Sequence, residues 1–150
     1  MNTSSEFGRT LLLLLITFTS AACQAIDNPD APDYLEQFRA QASSYELAIN
    51  NKSQTTADMI VEYRGYIDFL EQALQLVETA LEGSLSDSER ALFFETQAKW
   101  QTYRQAEMSF VDSVWTQENF GSSASVSKLA FYSEILKSRI ELLQTYRLQF

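Results

Sequence analysis

Histidine is absent from this 150-residue chain, and cysteine, glycine and proline are scarce, with one Cys, four Gly and two Pro. Without histidine the chain lacks the usual general base, the usual partner of a nucleophilic serine and the commonest zinc ligand. The single cysteine, Cys23, cannot form a disulfide within the chain. The four glycines form no phosphate-binding loop. The sequence therefore predicts a protein that is not an enzyme, with no catalytic residues, no metal site and no cofactor.

Carboxylates and serines are the remaining candidates for chemistry. Glu134 and Glu141 lie at helical spacing, but no histidine accompanies them as it does in the metal sites of helical bundles. We interpret them as parts of solvated helix faces. Ser122 and Ser123 are interpreted as helix caps rather than nucleophiles, because no activating base accompanies them.

Positive charge is also scarce, since 11 Lys and Arg residues face 20 Asp and Glu residues and leave a net charge of −9. A chain this acidic is not expected to bind nucleic acid. A cationic partner is compatible with the charge. The alternative is that the acidic surface only keeps an exported helical protein soluble.

The only strongly apolar run lies near the start of the chain. Arg9 precedes apolar residues 11–18, a run of about 8 residues that is shorter than the roughly 20 needed to span a bilayer. Small residues at 20–22 then precede Cys23. We therefore interpret residues 1–22 as a cleaved signal peptide, which predicts export to the periplasm or cell envelope.

Cys23 is the predicted lipidation site. Its position after three small residues resembles the lipobox of bacterial lipoproteins, although Ser20 stands where an aliphatic residue is usual. The alternative is ordinary cleavage after Ala22 or Ala25. A lipid anchor at Cys23 is the only membrane attachment that the sequence predicts.

Residues 23–33 form a polar tether with two prolines, and residues 34–150 are predicted to fold as one domain. Apolar residues recur there at spacings of three and four, and no stretch alternates as a strand would. The prediction is an all-α, antiparallel bundle of about four helices. Their expected bounds are 31–50, 55–82, 87–117 and 124–148.

Helix-ending signals set those bounds. Thr55 or Thr56 is expected to cap the second helix and Gly83 to end it, and Ser86 with Glu89 forms a capping box for the third. The third helix is expected to run to the turn at 119–121. Its apolar surface is wider than one neighbour requires, which predicts packing against more than one helix.

One side of the third helix carries Gln97, Trp100 and Arg104, and the fourth helix carries Arg139 on its apolar stripe. These residues and their neighbours resemble the LprI family of bacterial exported proteins and lipoproteins, named for a lysozyme inhibitor. The resemblance covers about residues 74–146 and leaves residues 24–70 largely outside it. The matching residues are Gln97, Trp100, Tyr103, Arg104, Phe110, Gly121, Ser122, Arg139 and Leu143.

The resemblance also predicts how the last two helices meet. Family members commonly have cysteines at the positions of Met108 and Phe131, which implies that these positions face each other. On antiparallel helices, paired residue numbers would then sum to about 239. That register places Arg139 opposite Trp100, with Gln97 or a carboxylate accepting its N–H groups. It also places Glu107 beside Tyr132.

We favour a structural role for this signature over a ligand site, because a partly buried guanidinium needs partners in the folded protein. For function, the resemblance implies an exported, non-enzymatic inhibitor whose partner is a cationic, lysozyme-type cell-wall hydrolase. The alternative is a structural or interaction module that docks another envelope protein.

The turn between the last two helices is the candidate contact with a partner. It joins a carboxylate, an amide and an aromatic ring at an exposed tip, a set suited to a polar, sugar-binding cleft. The alternative is a helix cap with the ring folded back onto the bundle. The candidate residues are Glu118, Asn119 and Phe120.

Overall fold

The structure of the protein is a computed structural model that describes residues 32–147. The predicted signal peptide, the lipidation site Cys23 and most of the predicted tether lie outside the described residues. The described residues form an all-α bundle, as predicted. The helices are α1 (Tyr34–Lys52), α2 (Thr56–Ser84), α3 (Asp87–Val114), α4 (Gln117–Phe120) and α5 (Ala124–Arg147), with a 3₁₀ turn at Gly121–Ser123.

The four long helices alternate in direction, so that α2 and α5 run parallel to each other. Close approaches are most numerous between these two helices, and α1 packs against both of them. Contacts between α3 and each member of the pair run antiparallel, as the pairs Glu71–Arg104 and Asp112–Lys128 illustrate. The pair α2/α5 is therefore the centre of the bundle, with α1 and α3 both resting on it.

Side-chain caps begin the second and third helices where the sequence predicts. The Thr55 hydroxyl accepts the Asp58 N–H at 3.2 Å, and the Asp58 carboxylate accepts the Thr55 N–H at 3.0 Å. The Glu89 carboxylate accepts the N–H of Ser86 at 2.9 Å. Each contact satisfies a donor that the first turn of a helix leaves free.

Three predicted helix ends are wrong, the first because α1 runs from Tyr34 to Lys52 rather than ending at 50. Gly83 lies inside α2, which continues to Ser84 because Leu85, not the glycine, adopts the extended backbone that ends the helix. The third helix ends at Val114 rather than near 117, because Thr116 starts a new turn by capping the N–H of Asn119. The predicted turn at its tip is therefore the short helix α4, which ends at Gly121 with a positive φ of 62°.

The apolar core lies between α1, α2 and α5. Leu70, Leu136 and Ile140 are fully buried in it, and these three helices supply eleven of its twelve members. The third long helix, α3, contributes one residue. The core residues are Phe38, Ala42, Ile49, Tyr66, Leu70, Leu74, Val77, Leu81, Phe93, Leu136, Ile140 and Leu143.

Helix α3 contacts both α2 and α5, as its wide apolar surface predicts, but much of that surface is not used. Within α3 only Phe93 and Val111 are buried. An apolar stripe of α3 stays exposed, and we call it the outer stripe. Its members, with the exposed fraction of each, are Leu92 (65%), Tyr103 (52%), Phe110 (64%) and Val114 (37%).

Candidate functional site

The buried arginine on α5 is held by a relay of polar side chains. Arg139 is only 7% exposed, and its Nη2 donates to Oε1 of Gln97 on α3. The amide nitrogen of Gln97 donates in turn to the carboxylate of Glu78 on α2. Gln97 is therefore the acceptor that the sequence predicts for Arg139, and Glu78 reaches the arginine only through it.

Trp100 lies between two guanidinium groups. The guanidinium carbon of Arg139 is 5.5 Å from the centre of the indole, and that of Arg104 is 5.1 Å from it, both within cation–π range. The predicted placement of Arg139 opposite Trp100 is thus confirmed. The ion pair between Asp112 and Lys128, at 2.8 Å, extends the same register, because its residue numbers sum to 240.

A second relay lies two helical turns away. Arg104 on α3 forms an ion pair with Glu71 on α2 at 3.2 Å, and the hydroxyl of Tyr132 on α5 donates to the same carboxylate at 2.5 Å. The Arg104 guanidinium carbon also lies 5.7 Å from the centre of the Tyr132 ring. One carboxylate therefore joins three helices.

The two relays form two layers with Trp100 between them, and we call the whole arrangement the polar layers. Each helix supplies two residues seven positions apart, because two helical turns bring residues i and i+7 to the same side. Sequence reasoning missed Glu71 and Glu78. These two carboxylates lie seven positions apart, like the paired residues on α3 and α5. That shared spacing is the sequence signal that could have found them. The pairs are Glu71 and Glu78, Gln97 and Arg104, Tyr132 and Arg139.

Burial in this region raises the pKa values of acidic groups and lowers the pKa of the buried arginine. It raises the pKa of the Glu78 carboxyl, against the attraction of Arg139, and lowers the pKa of the Arg139 guanidinium. Burial, followed by the hydrogen bond to Glu71, raises the pKa of Tyr132 to about 12. The phenol is therefore neutral at physiological pH and remains a hydrogen-bond donor.

Tyr103 shares the sequence signature but does not join the polar layers. Its side chain is half exposed and lines a groove of about 310 Å³ between α3 and α5, together with Trp100, Arg139 and Leu142. The signature therefore divides into buried or partly buried residues that tie helices together and one exposed residue, Tyr103.

Two other predicted neighbours stay untested. Phe131 packs edge-on against Trp115 at 5.5 Å between ring centres, which leaves its pairing with Met108 a prediction. The hydroxyl of Tyr132 donates to Glu71, and its proximity to Glu107 also stays a prediction.

The candidate contact residues all lie on α4 and are exposed. The side-chain amide of Asn119 donates to the carbonyl of Val114 at 3.1 Å and closes the end of α3, so it is engaged within the chain. Phe120 lies 6.0 Å from Trp115 between ring centres and yet remains 45% exposed. The Phe120 ring therefore packs against Trp115 on one side and is exposed to solvent on the other. Glu118 forms no ion pair within residues 32–147.

A polar cluster on the α1 side was also missed by the sequence analysis. The Glu46 carboxylate accepts the hydroxyl of Tyr66 at 2.9 Å and the ammonium of Lys137 at 2.7 Å. The Lys137 hydrogen bond is the main reason that the pKa of Glu46 is lowered. Nothing in the 3-4 apolar repeat singles out the glutamate.

The part of the chain from 32 to 147 contains no group of three His, Cys, Asp or Glu side chains placed to hold a metal ion. Among the helices of that same part, none is both long and apolar enough to cross a bilayer.

Comparison with protein families gives a match to the family described as "Lysozyme inhibitor LprI" over residues 48–143, more than half of the chain. The chain belongs to the LprI family. The match spans α2, α3 and α4 and nearly all of α5, and it includes all seven residues of the polar layers, Trp100 among them. The LprI family is an inhibitor family rather than a catalytic one. No curated protein and no solved structure matches the chain.

Proposed function

We propose that this protein is an exported, non-enzymatic inhibitor of a lysozyme-type cell-wall hydrolase. The observation that carries the proposal is the LprI family match over residues 48–143. The net charge of −9 supports it, because an acidic protein attracts a cationic hydrolase and speeds their encounter.

The contact we propose is α4, through Glu118 and Phe120. The carboxylate is exposed and forms no ion pair within the described residues, and the ring presents nearly half of its surface. Asn119 holds the tip against the end of α3 through its bond to Val114. A short helix fixed in this way loses little freedom on binding, which favours its insertion into a preformed cleft.

The test is inhibition of cell-wall lysis by a panel of lysozymes. The double change Glu118→Ala with Phe120→Ala is expected to abolish inhibition and leave the melting temperature nearly unchanged. The matched control is Asp68→Ala with Leu76→Ala on α2, which removes one exposed carboxylate and one exposed apolar side chain elsewhere. Equal inhibition by both double variants would place the contact on another surface.

The alternative function is an interaction module of the cell envelope that inhibits nothing. The outer stripe of α3 favours it, because exposed apolar residues in a row mark surfaces that other proteins cover. Under this alternative no lysozyme is inhibited. An envelope protein that binds the wild-type chain would then no longer bind Leu92→Ser with Phe110→Ser.

We also propose that the mature protein is anchored in the envelope by a lipid on Cys23, as the small residues before that cysteine suggest. Mass spectrometry of the exported protein tests this directly. A lipidated N-terminus is expected for the wild type and its absence for Cys23→Ser. Unmodified Cys23, or cleavage after Ala25, would contradict the anchor and leave export itself intact.

A further inference from the structure

The guanidinium of Arg139 has more hydrogen-bond donors than residues 32–147 satisfy. A guanidinium carries five N–H groups, and the hydrogen bond from Nη2 to Gln97 is its only one within residues 32–147. Its Nε is buried and has no partner. No carboxylate in the described chain forms an ion pair with it, because Glu78 bonds to Gln97 instead.

An unsatisfied donor on a buried cation is costly, and native proteins rarely leave one without a reason. Arg139 is 93% buried and its surroundings lower its pKa, yet it is one of the residues that line the groove between α3 and α5. Arg139 therefore borders a groove from which an external acceptor can approach it.

The groove has the size and lining of a small-molecule site. Its volume is about 310 Å³, within the range of clefts that hold small ligands. Trp100 and Tyr103 line it from α3, and Leu142 lines it from α5. Ser138 adds a hydroxyl next to Arg139 on the same helix. The lining thus combines two aromatic side chains and two aliphatic ones, Ile135 and Leu142, with a single buried cation.

We propose that this groove binds an organic monocarboxylate with an aromatic or other apolar body. The carboxylate accepts hydrogen bonds from Arg139, and the apolar body packs between Tyr103 and Leu142. The site is separate from α4, so it does not depend on the inhibitory function. Its occupant would supply the acceptor that Glu78, engaged by Gln97, does not provide.

Glu134 also lines the groove and sets its selectivity. Its side chain is exposed and forms no ion pair within residues 32–147, so it repels a second negative charge on the ligand. A monocarboxylate is consequently favoured over a dianionic phosphate of the same body. The apolar lining supplies the rest of the affinity, because the net charge of −9 opposes anion binding.

The experiment is a titration followed by NMR of the indole N–H groups of the ¹⁵N-labelled protein. The chain has two tryptophans, and only Trp100 lines this groove, which leaves Trp115 as an internal reference. Benzoate is expected to shift the Trp100 signal saturably and leave that of Trp115 in place. Benzyl alcohol, the neutral probe, and phenyl phosphate, the dianionic probe, are expected to shift the Trp100 signal much less.

Two variants and a control assign the site. Arg139→Gln is expected to lose the saturable shift. Tyr103→Ser, at a half-exposed position that can change without loss of the fold, is expected to weaken benzoate binding by about threefold to tenfold, the worth of one aromatic contact. Phe110→Ser, an exposed aromatic on the same helix that does not line the groove, is expected to bind like the wild type.

Several outcomes would overturn the proposal. One is the absence of a saturable Trp100 shift with benzoate, and another is an equal shift with benzyl alcohol. If Arg139→Gln does not fold, the comparison of Tyr103→Ser with Phe110→Ser tests the proposal. Equal affinities of these two variants for benzoate would show that benzoate binds outside the groove.

Discussion

The two sides of the central helix pair differ in how far they rely on apolar packing and on polar contacts. On the α1 side, aliphatic and aromatic side chains of three helices interdigitate, and Leu70 and Leu136 are completely buried. On the α3 side, the polar layers span the space between helices with long side chains. Apolar packing is non-directional and supplies most of the stability, whereas hydrogen bonds and stacked guanidiniums require one geometry. The first side therefore makes the bundle stable and the second fixes its register.

The largest expected effect is the loss of a central aliphatic side chain. Leu136→Ala leaves a cavity in the fully buried part of the core and is expected to lower the free energy of unfolding by about 4 kcal/mol. Urea denaturation followed by circular dichroism measures it. Leu142→Ala, at a 43% exposed position on the same helix, is the matched control and is expected to cost less than about 1 kcal/mol.

The next effect tests the α3 side. Trp100→Ala removes the ring that two guanidiniums share and is expected to cost about 3 kcal/mol, less than the core change because the indole is only partly buried. Arg139→Leu is expected to lie within about 1 kcal/mol of the wild type, because it exchanges a costly buried charge for apolar volume. If Trp100→Ala unfolded at the wild-type urea concentration, the polar layers would contribute nothing to stability.

Alkaline pH is expected to weaken the α3 side through Tyr132. Its folded pKa of about 12 lies above the unfolded value near 10, so its contribution is complete below pH 10 and is lost as the pH rises towards 12. Tyr63, Tyr66 and Lys137, whose pKa values are also raised, share in the wild-type decline. Tyr132→Phe is expected to make the fall in stability between about pH 10 and pH 12 shallower. An unchanged slope would mean that the phenol is not held neutral by the fold.

Acidic pH is expected to change the stability contributed by Glu46 on the α1 side and by Glu78 on the α3 side in opposite directions. The pKa of Glu46 is lowered in the folded protein, so its stabilisation exists above about 4.5 and is lost as the pH falls through the folded value. The pKa of Glu78 is raised, so its contribution exists below about 4.5 and is lost as the pH rises through its folded value. When the pH falls from about 7 to about 3, the Glu46→Gln variant is therefore expected to lose less stability than the wild type. The Glu78→Gln variant is expected to lose more stability than the wild type. If both variants changed the pH dependence of stability in the same direction, the opposite roles of Glu46 and Glu78 would be contradicted.

The smallest expected effect concerns the outer side of α3. Lys99 and Glu95 form an ion pair at 2.6 Å with both side chains mostly exposed, and such pairs contribute little because water and salt screen them. Glu95→Gln is expected to change the free energy of unfolding by less than about 0.5 kcal/mol. A larger loss would show that α3 depends on its surface as well as on the polar layers.

Apolar periodicity was sufficient to predict the core, because burial of one helix face leaves a repeat such as Leu70, Leu74, Val77 and Leu81. The register between α3 and α5 was predicted from the family resemblance, which implies that positions 108 and 131 face each other, and the contact between Arg139 and Trp100 agrees with it. The acceptors on α2, by contrast, were not predicted from the sequence. Glu71 and Glu78 are two carboxylates among several on that helix, and only the placement of three helices at once determines which of them face inward.

Helix ends were predicted less well, and the reason is local. Gly83 marked an end by composition, but a glycine inside a helix costs only about 1 kcal/mol relative to alanine, which the packing of α2 against its neighbours offsets. The end of α3 depends on Thr116 and Asn119, two polar residues whose capping bonds compete with continuation of the helix.

The contact between Arg147 and Tyr34, at 3.6 Å from guanidinium carbon to ring centre, brings the last turn of α5 beside the first turn of α1. The short helix α4 precedes the opposite end of α5, which has 24 residues and is therefore about 36 Å long. The described chain therefore enters at one end of the bundle, and the proposed contact lies at the other. A partner that binds Phe120 would meet the bundle at the end farthest from that entry.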